Sequence, residues 1–167
     1  KSVEDVPQRL DLVVIAVPAE MVPAAASEAV AKKAGAVVVV ASGFKEAGPE
    51  GRALEDELIA ICRRGGVRLL GPNCLGVINT AIRMNASFSR RIPQAGSMAI
   101  FSQSGALCTA MMDIADEREL GVSKAISIGN KADITEVDVL EALAEDEDTK
   151  VIVGYLEDIS DGDRFVK

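Results

Sequence analysis

Four stretches of this chain carry residue types and spacings suited to chemistry. The first is Ser102-Gln103-Ser104-Gly105, which directly follows a short apolar run, Met98 to Phe101. Leu107, Ala110, Met111, Ile114 and Ala115 then recur at helical spacing. A strand, a tight polar turn and a helix start make an anion site, because the first helical N–H groups lack intrahelical partners and the helix dipole favours negative charge there. An ordinary βα turn with Ser104 as helix N-cap is the other reading of the same residues. The second stretch, Glu157-Asp158, ends an apolar run and offers two carboxylates for acid, base or positioning work, with plain surface acidity as the alternative. The third is Gly71-Pro72-Asn73-Cys74-Leu75-Gly76, and the fourth is Gly129-Asn130-Lys131-Ala132-Asp133; both are punctuated turns after short apolar runs. The chain has no histidine. Ser–His and Cys–His nucleophilic pairs therefore cannot form within it, and neither Ser104 nor Cys74 reads as an activated nucleophile.

The elements that must position these residues follow a repeating strand–helix order. Leu12 to Val17 and Ala36 to Val40 are continuous apolar runs, as expected of parallel strands buried on both faces. Between them lies an Ala-rich helix from about Ala19 to Ala34, with Pro23 in its first turn and Gly35 as its stop. A second helix runs from about Arg52 to Arg64, with Leu54, Leu58, Ile61 and Cys62 on its apolar face, and Val67 to Leu70 forms a third strand. Residues 80–95 show no clear helix or strand periodicity and read as a connection between two units. Arg90 and Arg91 within it read as a solvated charge pair rather than phosphate ligands. In the second unit a strand at Lys124 to Ile128 leads to a helix from about Glu136 to Glu145, and Val151 to Leu156 reads as another buried strand. This order implies parallel sheets, whose ligands lie beyond the carboxyl ends of the strands. The ends after Val17, Ala41 and Leu70 should thus line one crevice.

Composition narrows the function classes. The chain has 167 residues, 49% hydrophobic and 26% charged, with a net charge of −8. That balance disfavours nucleic acid as a partner, and no apolar run has membrane-spanning length. Three scattered cysteines suggest reduced thiols and give no metal-ligand spacing. With no signal-peptide pattern before the first strand, a cytoplasmic location is expected. The chain starts on Lys1 and ends on Phe165-Val166-Lys167 inside an expected helix, which fits a piece of a longer protein. No Gly-x-Gly-x-x-Gly follows the first strand, which disfavours a complete dinucleotide-binding domain.

Five motifs in order resemble one family. Ser42-Gly-Phe-Lys-Glu46, Gly71-Pro-Asn-Cys-Leu-Gly76, Met84-Asn-Ala-Ser-Phe88, Phe101-Ser-Gln-Ser-Gly-Ala106 and Gly129-Asn-Lys-Ala-Asp133 are similar to motifs of the NDP-forming acyl-CoA synthetases and the succinyl-CoA synthetase alpha subunits. The resemblance implies an α/β chain with two consecutive parallel-sheet units. Residues 1–80 would be a partial Rossmann-like CoA-binding domain, 81–95 a linker, and 96–167 a partial flavodoxin-like ligase domain. It implies the reversible conversion of acyl-CoA, phosphate and ADP into acid, CoA and ATP through an acyl phosphate and a phosphohistidine. Carried onto this sequence, Val17, Pro18, Ala41, Ser42 and Gly43 become CoA-contacting positions, and Asn73 and Cys74 neighbours of the thioester. Ser102, Gln103, Ser104 and Gly105 become the phosphate-binding turn, and Glu157 the carboxylate that orients the phosphohistidine.

The resemblance also implies that the histidine loop lies beyond Lys167 and the first CoA phosphate loop before Lys1. ATP or ADP and Mg would bind outside this chain, on an ATP-grasp beta subunit or fused domain within an oligomer. CoA thioesters and phosphate are the implied ligands, with no nucleic acid and no membrane. A fragment with these gaps is not expected to complete a turnover alone. The competing reading is a non-catalytic acyl-CoA-sensing module fused to an acyltransferase.

Overall fold

A computed structural model describes residues 2–167. It builds two sheets. In the first, β1 (Leu12–Ile15), β2 (Ala36–Val39) and β3 (Arg68–Leu70) pair in parallel in that order. β-branched residues dominate β1 and β2, as suits a pleated surface packed against neighbours. α1 (Val22–Ala31) and α2 (Pro49–Gly65) connect these strands and pack against each other. Pro49 sits in the first turn of α2, where its missing N–H costs no helical bond, and Gly66 ends that helix in a left-handed conformation. Val22, Val37, Val39, Phe44, Leu58 and Leu69 form the buried centre of this unit.

The second sheet has the order β5-β4-β7-β6-β8. β6 (Ala95–Ser102), β7 (Val122–Ser127) and β8 (Val151–Tyr155) are parallel, with β6 in the middle. β4 (Gly76–Asn79) and β5 (Met84–Ser87) form a hairpin, and β4 joins β7 antiparallel, so a parallel core carries an antiparallel extension. The stretch expected to be an irregular connection thus holds a strand. Met84-Asn85-Ala86-Ser87 does alternate apolar and polar, but four residues at a half-buried sheet edge are too few for that alternation to stand out. α3 (Gly105–Glu117) follows β6, α4 (Glu136–Ala144) follows β7, and a short α5 (Gly162–Phe165) closes the chain. Thr135 and Asp138 form a reciprocal capping box at the start of α4.

Two other expectations need correction. Val151 to Tyr155 is not buried: every residue of β8 is exposed, because β8 is an edge strand paired only with β6. α3 turns its face by about one residue from the expected register, burying Cys108, Met112 and Ala115 and leaving Leu107 and Ile114 exposed. No helix among the described residues is long and apolar enough to cross a membrane.

Candidate functional site

The carboxyl ends of β2, β3, β6, β7 and β8 meet around one cavity of about 530 Å³. Its wall includes Ser42 from the first sheet's side, Asn73, Cys74 and Leu75 from the turn after β3, and Gln103, Ser104 and Gly105 from the turn after β6. Gly129 and Asn130 come from the turn after β7, and Glu157 follows β8. Six of the residues singled out in the sequence therefore share this wall with Glu157: Ser42, Asn73, Cys74, Gln103, Ser104 and Gly105. The switch-point rule for parallel sheets accounts for the location.

The turn after β6 is pre-shaped by its own hydrogen bonds. The fully buried Ser102 hydroxyl donates to the Ser104 carbonyl (2.7 Å) and accepts from the Ser104 amide (3.0 Å). Ser104 is the N-cap of α3, its hydroxyl oxygen accepting from the Leu107 amide at 3.3 Å. Among the described residues, the Gly105 and Ala106 amides have no hydrogen-bond partner. A Cβ on Gly105 would meet only Leu75 atoms, at 3.8 and 3.9 Å, so the approach to these amides is open. N-cap and anion-site readings are compatible here: capping occupies the third amide of the helix and leaves the first two exposed.

Gln103 has a different task from its neighbours. Its side-chain oxygen accepts from the Glu157 and Asp158 amides at 2.7 and 3.2 Å, and its side-chain nitrogen donates to the Asp158 carboxylate at 2.7 Å. It thereby fixes the Glu157 loop to the turn after β6. Val17 and Ala41 lie outside the cavity wall, packed against the first unit's core. Pro18 begins a short turn whose carbonyl accepts from Met21, and Gly43 donates its amide to Glu46 at 2.6 Å.

Asn73 adopts a left-handed conformation (φ 56°), which asparagine tolerates, and its amide donates to the Ala41 carbonyl at 2.9 Å. It follows a cis Gly71–Pro72 peptide. Cys74 is 3% exposed, and its thiol donates to the Val39 carbonyl at 3.3 Å. Burial pushes that thiol up to about 12, far from thiolate chemistry.

Sequence reasoning did not foresee the polar contacts that join the loops of this wall. Asn130 donates its side-chain amide to both Glu46 (2.6 Å) and Glu55 (2.7 Å). Burial alone would raise the Glu46 carboxyl, but hydrogen bonds from Asn130 and the Gly43 amide outweigh it and hold the group below its ordinary value. Lys131 places its ammonium 2.9 Å from the fully buried Glu136 carboxylate and 2.9 Å from Asp158. Glu136 also accepts from the amide and hydroxyl of Ser160. This pair ties the turn after β7, the start of α4 and the Glu157–Ser160 segment together. The sequence signal available was the charged Lys131 inside the fourth motif, but nothing in the spacing named its partners.

The Lys131–Glu136 pair gives a stability prediction. Burial tends to raise the Glu136 carboxyl, and the Lys131 ammonium and Ser160 amide reverse that, leaving it below its ordinary 4.5. A carboxylate depressed in the folded state stabilises above the unfolded pKa, and that contribution fades as pH falls through the folded value. Urea unfolding of the chain is therefore expected to show stability falling as the pH drops below about 4.5. Lys131→Met strands Glu136 and is expected to cost about 3 kcal/mol at neutral pH, with a shallower loss on acidification. A variant as stable as the parent, with the same acid profile, would contradict the pairing.

Comparison with known proteins adds to this geometry. Residues 1–80 match a family model described as a CoA binding domain, and residues 95–167 one described as a succinyl-CoA ligase like flavodoxin domain. The chain is 48% identical to an ADP-forming acetate–CoA ligase I of Archaeoglobus fulgidus, over 99% of this chain and 24% of that protein. It is 41% identical to the alpha subunit of an ADP-forming acetate–CoA ligase I of Pyrococcus furiosus, over 100% of this chain and 36% of the subunit. A solved dinucleotide-forming acetyl-coenzyme A synthetase 1 from Ca. Korarchaeum cryptofilum, in complex with phosphate and ADP, superposes with a TM-score of 0.94 at 38% identity, covering 99% of this chain and 36% of that one. The chain spans about a quarter to a third of the length of these relatives.

Proposed function

We propose, on the premise that this chain belongs to the NDP-forming acyl-CoA synthetase family, that its cavity is where an acyl group passes between the CoA sulfur and an oxygen of phosphate. The full-length protein would convert acyl-CoA, phosphate and ADP into acid, CoA and ATP. The observation that carries this reading is the meeting of Asn73 and Ser42 with the open amides of Gly105 and Ala106 and with Glu157 around one space. The first sheet's side would receive the thiol end of CoA, with Ala41 and Gly43 supporting the loop that presents Ser42. Val17 and Pro18 would bound the same crevice farther out. The start of α3 would hold phosphate, supplying fixed dipoles to a transition state whose charge spreads over phosphoryl oxygens.

In this proposal Glu157 acts on an imidazole arriving from outside residues 1–167, fixing its tautomer and favouring its charged form. Ser102 shapes the phosphate turn from within, and Gln103 holds Glu157 in reach of it. The nucleotide and Mg would sit on an ATP-grasp beta subunit or fused domain. Residues 1–80 and 96–167 would be the two functional units, with β4 at the end of the first and β5 within 81–95 both built into the second sheet. The test is direct: the full-length protein, given a short carboxylic acid, CoA and ATP with Mg, should form acyl-CoA, ADP and phosphate, and AMP with pyrophosphate as products would refute it.

Cys74 has no part in this chemistry beyond packing, because its thiol is buried, bonded to Val39 and far from ionising. Cys74→Ser keeps a donor for the same carbonyl and is expected to retain activity within about threefold. An acyl group found on Cys74 by mass spectrometry during turnover would contradict this.

A further inference from the structure

Every polar atom of Asn130 is engaged, and its bonds lead to the turn after β2, to α2 and to the turn after β3. Its backbone amide donates to the Pro72 carbonyl at 2.9 Å, and its side-chain oxygen accepts from the Asn73 side chain at 3.3 Å. Its side-chain nitrogen carries two hydrogens, which go to Glu46 and Glu55, and its carbonyl accepts from the Lys45 ammonium. Asn130 is 9% exposed and Glu55 4%, so the bond between them is sheltered from water, while Glu46 reaches Asn130 from the exposed side. An amide is the one neutral group of this size that can give two hydrogens to two carboxylates and still accept from a third residue.

We propose that Asn130 is the positioning residue of this cavity, holding Asn73 and the Ser42–Glu46 loop at the distance the reaction requires. The inference rests on the ligase reading given above. The charged groups facing Asn130 are Glu46 and Lys45 from the turn after β2 and Glu55 from α2. Asn73, from the turn after β3, is neutral. The adjoining Lys131 points its ammonium elsewhere, to Glu136 and Asp158.

The clamp has a polarity that can be exchanged. In Glu46, Oε1 accepts from the Gly43 and Phe44 amides while Oε2 faces the Asn130 nitrogen. Glu46→Gln can keep Oε1 on those amides and turn an N–H toward residue 130. With Asn130→Asp in the same protein, donor and acceptor trade places across the 46–130 bond alone; the new carboxylate still faces Glu55, with the Lys45 ammonium, 3.5 Å from Glu55, as their shared counter-charge.

The experiment uses the full-length enzyme. Asn130→Asp alone sets a third carboxylate against two others and should lower kcat/KM for CoA by about 30-fold or more at neutral pH. Its pH profile should gain a limb absent from the parent, activity rising as acid restores a proton to the cluster. Asn130→Asp with Glu46→Gln should recover about tenfold of the loss at neutral pH. A single variant with the parental profile, or a double variant no better than the product of the two singles, would overturn the proposal. If Asn130→Asp does not fold, a folded and active double variant supports the exchange, and a double variant equally unfolded overturns it. Absence of ligase turnover in the parent would overturn the functional reading, not the clamp. The clamp would then be judged by melting temperature: a double variant melting above Asn130→Asp supports it, and equal melting overturns it.

Discussion

On the proposed ligase mechanism, Glu157→Gln in the full-length protein is expected to lower formation of a phosphorylated histidine by at least about 100-fold, while CoA binding stays nearly unchanged. Glu157 borders the cavity beside the start of α3, and Gln103 fixes its backbone through the 2.7 Å bond to its amide. Its carboxylate is badly suited to touching phosphate, since like charges repel, and well suited to an imidazole N–H. Glutamine keeps the size and loses the charge that favours imidazolium. Phosphoenzyme formed from radiolabelled ATP, measured beside calorimetric CoA binding, separates the two ends of the cavity. Normal labelling in Glu157→Gln would remove this residue from the mechanism, and a parallel loss of CoA binding would show a general structural defect.

Gly129→Val is expected to cost about 3 kcal/mol or more of stability and to abolish turnover. Gly129 has φ 52°, and a Cβ there would sit 2.6 Å from the Asn73 carbonyl oxygen and closer still to that of Pro72. Those are backbone atoms, so no side-chain rotation can relieve the contact. The turn after β7 would be pushed off the turn after β3, separating Asn130 from Asn73. Gly162→Ala is the control: its added Cβ meets nothing within 4 Å, and it should stay within about 0.5 kcal/mol of the parent. Thermal unfolding of both variants checks this, and a Gly129→Val protein melting with the parent would contradict the packing described.

Which parts of this arrangement the sequence disclosed follows from the range of the forces involved. Ala36 to Val39 reads as a buried strand because a run of valines leaves little choice, and it is one. The run at Val151 to Tyr155 looks the same in sequence but lies at a sheet edge, exposed throughout, because burial depends on what stacks against a strand. Leu107 and Ile114 fit a helical stripe as well as Cys108 and Met112 do, and only packing against β6 and β7 selects the latter. Met84 to Ser87 is held as a strand by its hairpin partner β4 rather than by its own composition.

Strand–helix order alone places ligands beyond the strands' carboxyl ends, but of the ends after Val17, Ala41 and Leu70 expected to line one crevice, only the last two border the cavity. Ser42, Asn73, Ser104, Gly105 and Glu157 do line one space. The long-range polar contacts around it were not legible. Asn130 meets Glu46 and Glu55 across 84 and 75 positions of chain, and nothing local to any of the three announces the others. The same holds for Ser160 and Glu136, which are 24 positions apart.

The central claim is that one cavity, at the meeting of the two sheets' carboxyl ends, receives both the CoA thiol and the transferring phosphate. A crystal structure of the full-length protein with CoA and phosphate bound tests it most directly. Phosphate is expected on the Gly105 and Ala106 amides and the CoA sulfur beside Asn73, both within the space bordered by Glu157. Phosphate bound away from the start of α3, or a CoA sulfur outside that space, would contradict it.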